Sequence, residues 1–385
     1  MKKLILENSM GRRIVGKVGK IVLGIVIIIL VGVAFLTGIL LLRSKGEMKQ
    51  FEDSNGRILK GSLSEKGYVT INDAKMGMII KSKDITNPVL LFVHGGPGMP
   101  EYPLIGESSN DLADYFTVVW WDQRGAGLSY SSDISKDTMT TEQFISDTVE
   151  VTNYLRKRFS KEKIYLMGHS WGTFIAIQAA AKAPELYHAY IGMGQITNQM
   201  ESERLAYDYM LDYYDRKGDR NALKRLKSVS LSTSNNLPDE YLSMRDELMH
   251  RCGIGTTHKM RSVVTGIFVP VMWNQEYTLG EKINIWKGKA FSNTTNLRQE
   301  MYDTDIPKCV TELKIPVYFF SGLYDYTVNY QMAKEYMNKL KAPIKGFYLF
   351  KESAHSPFIE ESEKVLNIMV NDVLKGRNEL AEEID

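Results

Sequence analysis

The segment of this chain best suited to chemistry is Gly168-His169-Ser170-Trp171-Gly172. A serine hydroxyl is a weak nucleophile unless it stands proud of the backbone, beside a base and near donors for an oxyanion. The flanking residues supply the first condition. Apolar Ile164 to Met167 read as a buried strand, and Thr173-Phe174-Ile175-Ala176-Ile177 as the start of a helix. A sharp strand-to-helix turn lifts the serine, and its two glycines admit neighbouring backbone without Cβ clashes. The same turn aims the free N–H groups of a helix start at the reacting centre. A chance G-x-S-x-G in a surface loop would lack both flanking elements.

A base and the carboxylate that orients it belong at the carboxyl ends of later strands. Asp325 follows the apolar run Val317 to Phe320, and His355 follows Gly346 to Phe350. In the order Ser170, Asp325, His355 these make a nucleophile, an orienting carboxylate and a general base. His94-Gly95-Gly96-Pro97-Gly98 ends another apolar run, Val89 to Val93. A glycine amide there, most directly Gly96, would join the Trp171 amide in an oxyanion hole. His188 and His258 read as packing or surface residues. His250, Cys252 and His258 lack the spacing and the fourth ligand of a metal site, so no metal is assigned. Cys252 and Cys309 could pair or stand as two buried free thiols.

The elements that must position these groups alternate. Tyr68 to Ile71 and Met76 to Ile80 suggest an antiparallel pair, and Val89–Val93 and Phe116–Trp121 two buried strands. A helix over Thr141 to Phe159, with Phe144, Val149, Val151, Tyr154 and Leu155 on its apolar face, precedes the nucleophile strand, and Tyr187 to Met193 follows it. After a long helical stretch the rhythm resumes, with helices near Asn329 to Leu340 and Phe358 to Leu374. Strands alternating with helices predict an α/β fold, a mostly parallel sheet covered on both faces. The implied organisation is a basic segment (1–20), a membrane span (21–42), a linker (43–55), the catalytic body (56–196 and 311–385) and an inserted helical cap (197–310).

Ile21 to Leu42 carries no charge, and at about 1.5 Å per residue covers roughly 33 Å, enough to cross a bilayer core. A cleavable signal peptide would have a shorter apolar region and a small-residue cleavage site; here the run ends Leu40-Leu41-Leu42-Arg43. Lys2, Lys3, Arg12, Arg13, Lys17 and Lys20 precede it, against only Arg43, Lys45 and Lys49 soon after. The expectation is an uncleaved single-pass anchor, N-terminus cytoplasmic and catalytic domain extracellular. The chain has 385 residues, 44% hydrophobic and 24% charged, with a net charge of +2. Since the first twenty residues are strongly basic, the remainder is faintly acidic and offers no footprint for nucleic acid.

Three motifs together, HGGPG at 94–98, WDQRGAGLS at 121–129 and GHSWGT at 168–173, resemble the proline iminopeptidase branch of the α/β-hydrolases. The resemblance covers about 55–375. It implies a cofactor-free serine aminopeptidase that releases N-terminal residues from short peptides, with Asp122 to Gly125 shaping the site. It also implies that cap glutamates hold the substrate's α-ammonium, and Glu203 matches the position of one. His169, Thr173 and Ala354 depart from the usual Gly, Ser and Gly. From the helix itself, Asn198 and Glu201 form a capping pair, and Glu203 continues the stripe Ala206, Met210, Tyr213. Tyr207, Tyr209, Tyr213 and Tyr214 could line a substrate pocket or a core. An esterase or other acyl hydrolase with the same triad is the alternative, and a catalytically silent binding protein a remote one.

Overall fold

The computed structural model describes residues 2–105, 111–231 and 236–383, with side chains from Gly19 onward. Eight strands form one sheet in the order β1-β2-β4-β3-β5-β6-β7-β8. They are β1 (Leu63–Ile71), β2 (Ala74–Ser82), β3 (Val89–Val93), β4 (Thr117–Trp121), β5 (Ile164–His169), β6 (Tyr187–Met193), β7 (Val317–Gly322) and β8 (Lys345–Phe350). The pairs β1–β2 and β2–β4 are antiparallel, and the remaining pairs are parallel. This is the α/β-hydrolase arrangement that the sequence predicts.

The period-two alternation of the strands sorts their side chains into two cores. Val89, Leu91, Val93, Val119 and Trp121 face one way, packed with helices Thr141–Arg158 and Trp171–Lys182. Leu90, Phe92, Val118 and Trp120 face the other way, against Phe358, Val365 and Ile368 of the last helices. Strand β1 starts earlier than its apolar residues suggest, because its polar Ser64-Glu65-Lys66 still pairs in register with β2. The last helix is divided, not continuous from Phe358 to Leu374. It breaks at Glu361 between Pro357–Glu360 and Ser362–Ile368. The Glu361 carboxylate instead turns back to accept from the Ser353 hydroxyl at 2.6 Å and the Glu352 amide at 3.1 Å.

The expected cap, 197–310, separates into two parts. Met200 through Ile254 build a core of their own, where Tyr214 is buried and Tyr207, Tyr209 and Tyr213 pack around it. These tyrosines belong to that core, and Tyr214, not Tyr213, continues the buried stripe of Ala206 and Met210. Beyond it, Val271, Tyr277 and Ile285 join one sheet core, and Leu297, Met301 and Ile306 the other. Those residues complete the body.

The N-terminal helix runs Lys2–Leu42, and its Gly19–Leu42 portion is long and apolar enough to cross a membrane, with none of it buried in the molecule. The side chains of the basic cluster before it, Lys20 excepted, lie outside the described residues. Residues 43–52 are not a free linker. The Gly46 amide donates to the Gln275 carbonyl at 3.1 Å, Phe51 is buried, and the Lys49 amide donates to Glu276 at 2.8 Å. Cys252 is buried and Cys309 exposed, both as free thiols.

Between β4 and the first core, Arg124 makes a bidentate pair with Asp147 at 2.8 and 2.9 Å, both side chains buried. Asn72 and Gln143 also donate to Asp147, and Arg124 donates to the Asn72 carbonyl, so the pair is well satisfied. Removing one partner leaves an uncompensated buried charge, which costs about 3–5 kcal/mol. Arg124→Leu is therefore expected to lower the Tm sharply, and adding Asp147→Leu to recover part of the loss, as thermal melts of the two variants would show.

Candidate active site

Ser170 occupies the tip of the β5-to-helix turn with φ 52° and ψ −125°. Such a conformation costs a non-glycine residue about 1–3 kcal/mol and persists only where surroundings enforce it. Here the Ser170 amide donates to the Met193 carbonyl at 3.0 Å, while the Thr173 amide and hydroxyl both donate to the Ser170 carbonyl at 2.7 Å. The Thr173 hydroxyl in turn accepts from the Ile196 amide at 2.9 Å, so threonine serves well where the resemblance leads one to expect serine. A Cβ on Gly172 would overlap the Val93 carbonyl, and one on Gly168 would lie 2.6 Å from the Gly172 oxygen. Only glycine fits these two positions.

His355 and Ser170 line the same cavity. The Nδ1 of His355 lies 2.9 Å from Asp325 Oδ2, and the other carboxylate oxygen accepts from the Val328 amide at 2.8 Å. Asp325 is fully buried. A carboxylate at Nδ1 places the proton there and leaves Nε2 as the basic nitrogen. Gly194, which the sequence reading did not single out, lies beneath the pair: a Cβ there would sit 3.0 Å from the imidazole Cε1. The loop that carries His355 is pinned by Glu360, which accepts from the Ala354 amide at 2.8 Å, and by the Glu361 contacts.

Gly96 and Trp171 flank Ser170 in a smaller recess. Gln123 locks the loops that bear them. Its side-chain amide donates to the His94 carbonyl at 2.6 Å and accepts from the Trp171 indole at 3.0 Å. Its backbone amide donates to His94 Nε2 at 3.1 Å, so the ring's proton sits on Nδ1 and is donated to the Gly95 carbonyl at 2.8 Å. Burial pushes His94 down to about 4, which keeps it neutral and able to accept. Of the Asp122–Gly125 segment, Gln123 thus ties the loop after β3 to the turn after Ser170, while Arg124 pairs with Asp147 and Asn72.

His169 brings a second ionic group to the nucleophile. Its Nδ1 lies 2.5 Å from Glu101, and its Nε2 lies 2.7 Å from the His355 carbonyl. The His355 carbonyl can only accept, so Nε2 donates; beside an ionised Glu101 carboxylate Nδ1 donates as well, the arrangement of an imidazolium. Burial opposes that charge, but the Glu101 carboxylate beside it outweighs burial and raises the pKa. Glu101 also accepts from the Gly95 amide at 3.1 Å. Glu101 lies just beyond the 94–98 motif but is not part of it, and only the unusual His169 hinted that a carboxylate was needed.

Glu203 does not present a free carboxylate. It accepts both a 2.7 Å bond from Arg245 Nε and another from Nη2, with Tyr241 at 3.1 Å and Gln199 at 3.2 Å completing its shell. An arriving ammonium would have to displace a bidentate guanidinium, the strongest planar partner a carboxylate can have. The recess around it also holds Asp246, Lys289 and Arg298. Burial brings Lys289 down to about 8, and its ammonium donates to the Pro97 carbonyl at 3.2 Å. His258 stacks on Tyr324, and His250 bonds to the Asp246 carbonyl and Thr256, so both are structural.

Two outcomes follow from these contacts. Gln123→Leu frees the Gly95–Gly96 loop and leaves the His94 carbonyl without its Gln123 donor; small misplacements of this kind cost about 100-fold, so kcat should fall by that order with a smaller change in KM, as steady-state kinetics would show. The His169–Glu101 pair has a raised histidine pKa in the fold, so its stabilisation is complete below the unfolded value of about 6.5 and is lost as pH rises through the folded value. The Tm gap between the parent and Glu101→Gln should narrow on raising the pH from mildly acidic to alkaline. A constant gap would show that His169 is not charged.

Comparisons with known proteins agree with this fold. The α/β hydrolase fold family matches residues 88–362. The chain is 34% identical over 315 residues to a probable aminopeptidase, YbaC, of Bacillus subtilis, spanning 80% of this chain and 96% of that protein. It is 26% identical over 290 residues to a proline iminopeptidase of Clostridium botulinum, spanning 73% and 87%. The crystal structure of a proline iminopeptidase-related protein, TTHA1809, from Thermus thermophilus shares the fold with a TM-score of 0.54 at 21% identity, over 80% of this chain and 96% of that one. The motif resemblance thus extends over the body, and the chain belongs to the α/β hydrolase fold family.

Proposed function

We propose that this protein is a membrane-anchored serine aminopeptidase acting on short peptides, with Ser170 as nucleophile, His355 as general base and Asp325 as its orienting partner. The observation that carries this reading is the left-handed Ser170 turn on the same cavity as a His355 whose Nδ1 meets Asp325 at 2.9 Å. His355 Nε2 takes the Ser170 proton as the oxygen attacks the carbonyl carbon, and the amides of Gly96 and Trp171 receive the negative oxygen. The proton then passes to the leaving amine, and water releases the acyl group by the reverse sequence. Two relatives named for aminopeptidase or iminopeptidase activity support a peptide substrate.

One observation favours the second reading, an esterase. Arg245 occupies the Glu203 carboxylate that the resemblance assigns to the α-ammonium. On the peptidase reading, either Glu203 exchanges Arg245 for substrate, or Asp246 serves. Asp246 faces both the large cavity and the smaller recess and gives one oxygen to Arg245 at 2.8 Å. The N-terminal helix, with its basic flank, is read as an uncleaved anchor that leaves the body outside the cell.

Ser170→Ala should lose turnover by several orders of magnitude with an unchanged melting profile. Substrate class is decided by the rate ratio of free-amine to N-acetylated aminoacyl amides in the parent, Glu203→Gln and Asp246→Asn. A large parental ratio that collapses in one variant identifies the ammonium partner. Equal rates on acetylated and free substrates, with fast cleavage of neutral esters, would favour the esterase. External protease should digest the body on intact cells, and a mature N-terminus beyond Leu42 would contradict the anchor.

A further inference from the structure

Helix Val264–Trp273 carries no charged residue, and its Val269 and Trp273, which do not line the Ser170 cavity, remain 42% and 43% exposed. An exposed apolar strip of this kind marks a contact surface. The same helix has two further sides. Val271 is buried on the sheet, while Val264, Ile267 and Phe268 form a wall of the cavity of about 650 Å³ that reaches Ser170 and His355. That volume lies within the range of small-molecule sites.

What covers the strip follows from what is tied to its end. Lys282 Nζ donates to the Met272 carbonyl at 2.9 Å and, at the exit of the long apolar helix, to the Arg43 carbonyl at 3.2 Å and the Ser44 hydroxyl at 2.8 Å. The Arg43 guanidinium lies over the Trp273 ring, 5.2 Å from its centroid. One buried lysine thus binds carbonyls at the ends of both helices, where a cation is favoured. Tryptophan and arginine are residues of membrane interfaces, and they meet where the bilayer-length helix emerges.

We propose that helix Val264–Trp273 lies in the surface of the bilayer that holds the anchor, and that the cavity behind it receives the hydrocarbon chain of an amphiphilic substrate drawn from that bilayer. This deepens the reading above and rests on it: on the N-terminal helix as an uncleaved span, and on Ser170 as the nucleophile. The substrate's carbonyl carbon lies at Ser170 with its chain along Ile267 and Phe268, and its polar part faces the recess of Arg245 and Lys289.

Full-length protein reconstituted in phosphatidylcholine vesicles tests this on two independent readouts. Val269 and Trp273 do not line the cavity, so a fluorophore on Val269→Cys, in a Cys309→Ser background, reports position alone. Lipids spin-labelled near the top of the acyl chain should quench it strongly and aqueous iodide weakly; the reverse would overturn the docking. Ethyl and dodecyl fluorophosphonates, which phosphonylate a serine with loss of fluoride whether the enzyme is a peptidase or an esterase, report the cavity. Dodecyl should label faster in the parent, and Ile267→Asp should lower the ratio of dodecyl to ethyl labelling rates at least about tenfold. Equal parental rates for the two chains would overturn the chain-binding cavity. No labelling by either would overturn the nucleophile reading, and release of the protein by alkaline carbonate would overturn the anchor, each taking the proposal with it.

Discussion

Ser170 is held in a backbone conformation that a serine adopts only under constraint, and much of the surrounding structure is what imposes it. The Met193 carbonyl takes its amide, Thr173 takes its carbonyl, and glycines at 168 and 172 let the turn close on neighbouring backbone. Each contact reaches a different strand end: β3 through Val93, β5 through Gly168, β6 through Met193. The parallel sheet matters to function for that reason. It brings several carboxyl ends into one plane, so separate loops can meet at one atom.

Around the turn, polar groups are fixed in protonation state as well as in place. Gln123 sets the His94 tautomer, Asp325 sets that of His355, and Glu101 holds His169 as a cation. Three histidines therefore sit near one serine in three different settings: one neutral and structural, one with its Nδ1 on a carboxylate, one drawn towards its charged form. Burial lowers the first, while a partner carboxylate decides the third. The His169 and His355 rings lie against each other, with centroids 4.7 Å apart.

The fold and the residues at strand ends were legible in the sequence because they obey local rules. A five-residue apolar run ending in glycines fixes β3, and G-x-S-x-G between strand and helix fixes the turn. Asp325 and His355 were legible for the same reason. What the sequence hid depends on distant pairs. Glu203 looks like a carboxylate aimed into a cleft until Arg245, on another cap helix, closes on it. Glu101 belongs to no motif, and Gly194 acts by lacking a side chain beneath an imidazole. The cap boundary was hidden too, because Val271, Tyr277 and Ile285 look like cap residues in order along the chain yet complete a sheet core.

The central claim is that this strained serine, and no other, is the group that attacks. It is tested most directly by reacting the folded, full-length protein with phenylmethylsulfonyl fluoride and locating the adduct by tandem mass spectrometry. The account predicts a single sulfonyl group on Ser170, absent when the protein is unfolded before reaction, because reactivity depends on the turn and on His355. An adduct on a different serine, or equal modification of folded and unfolded protein, would contradict it.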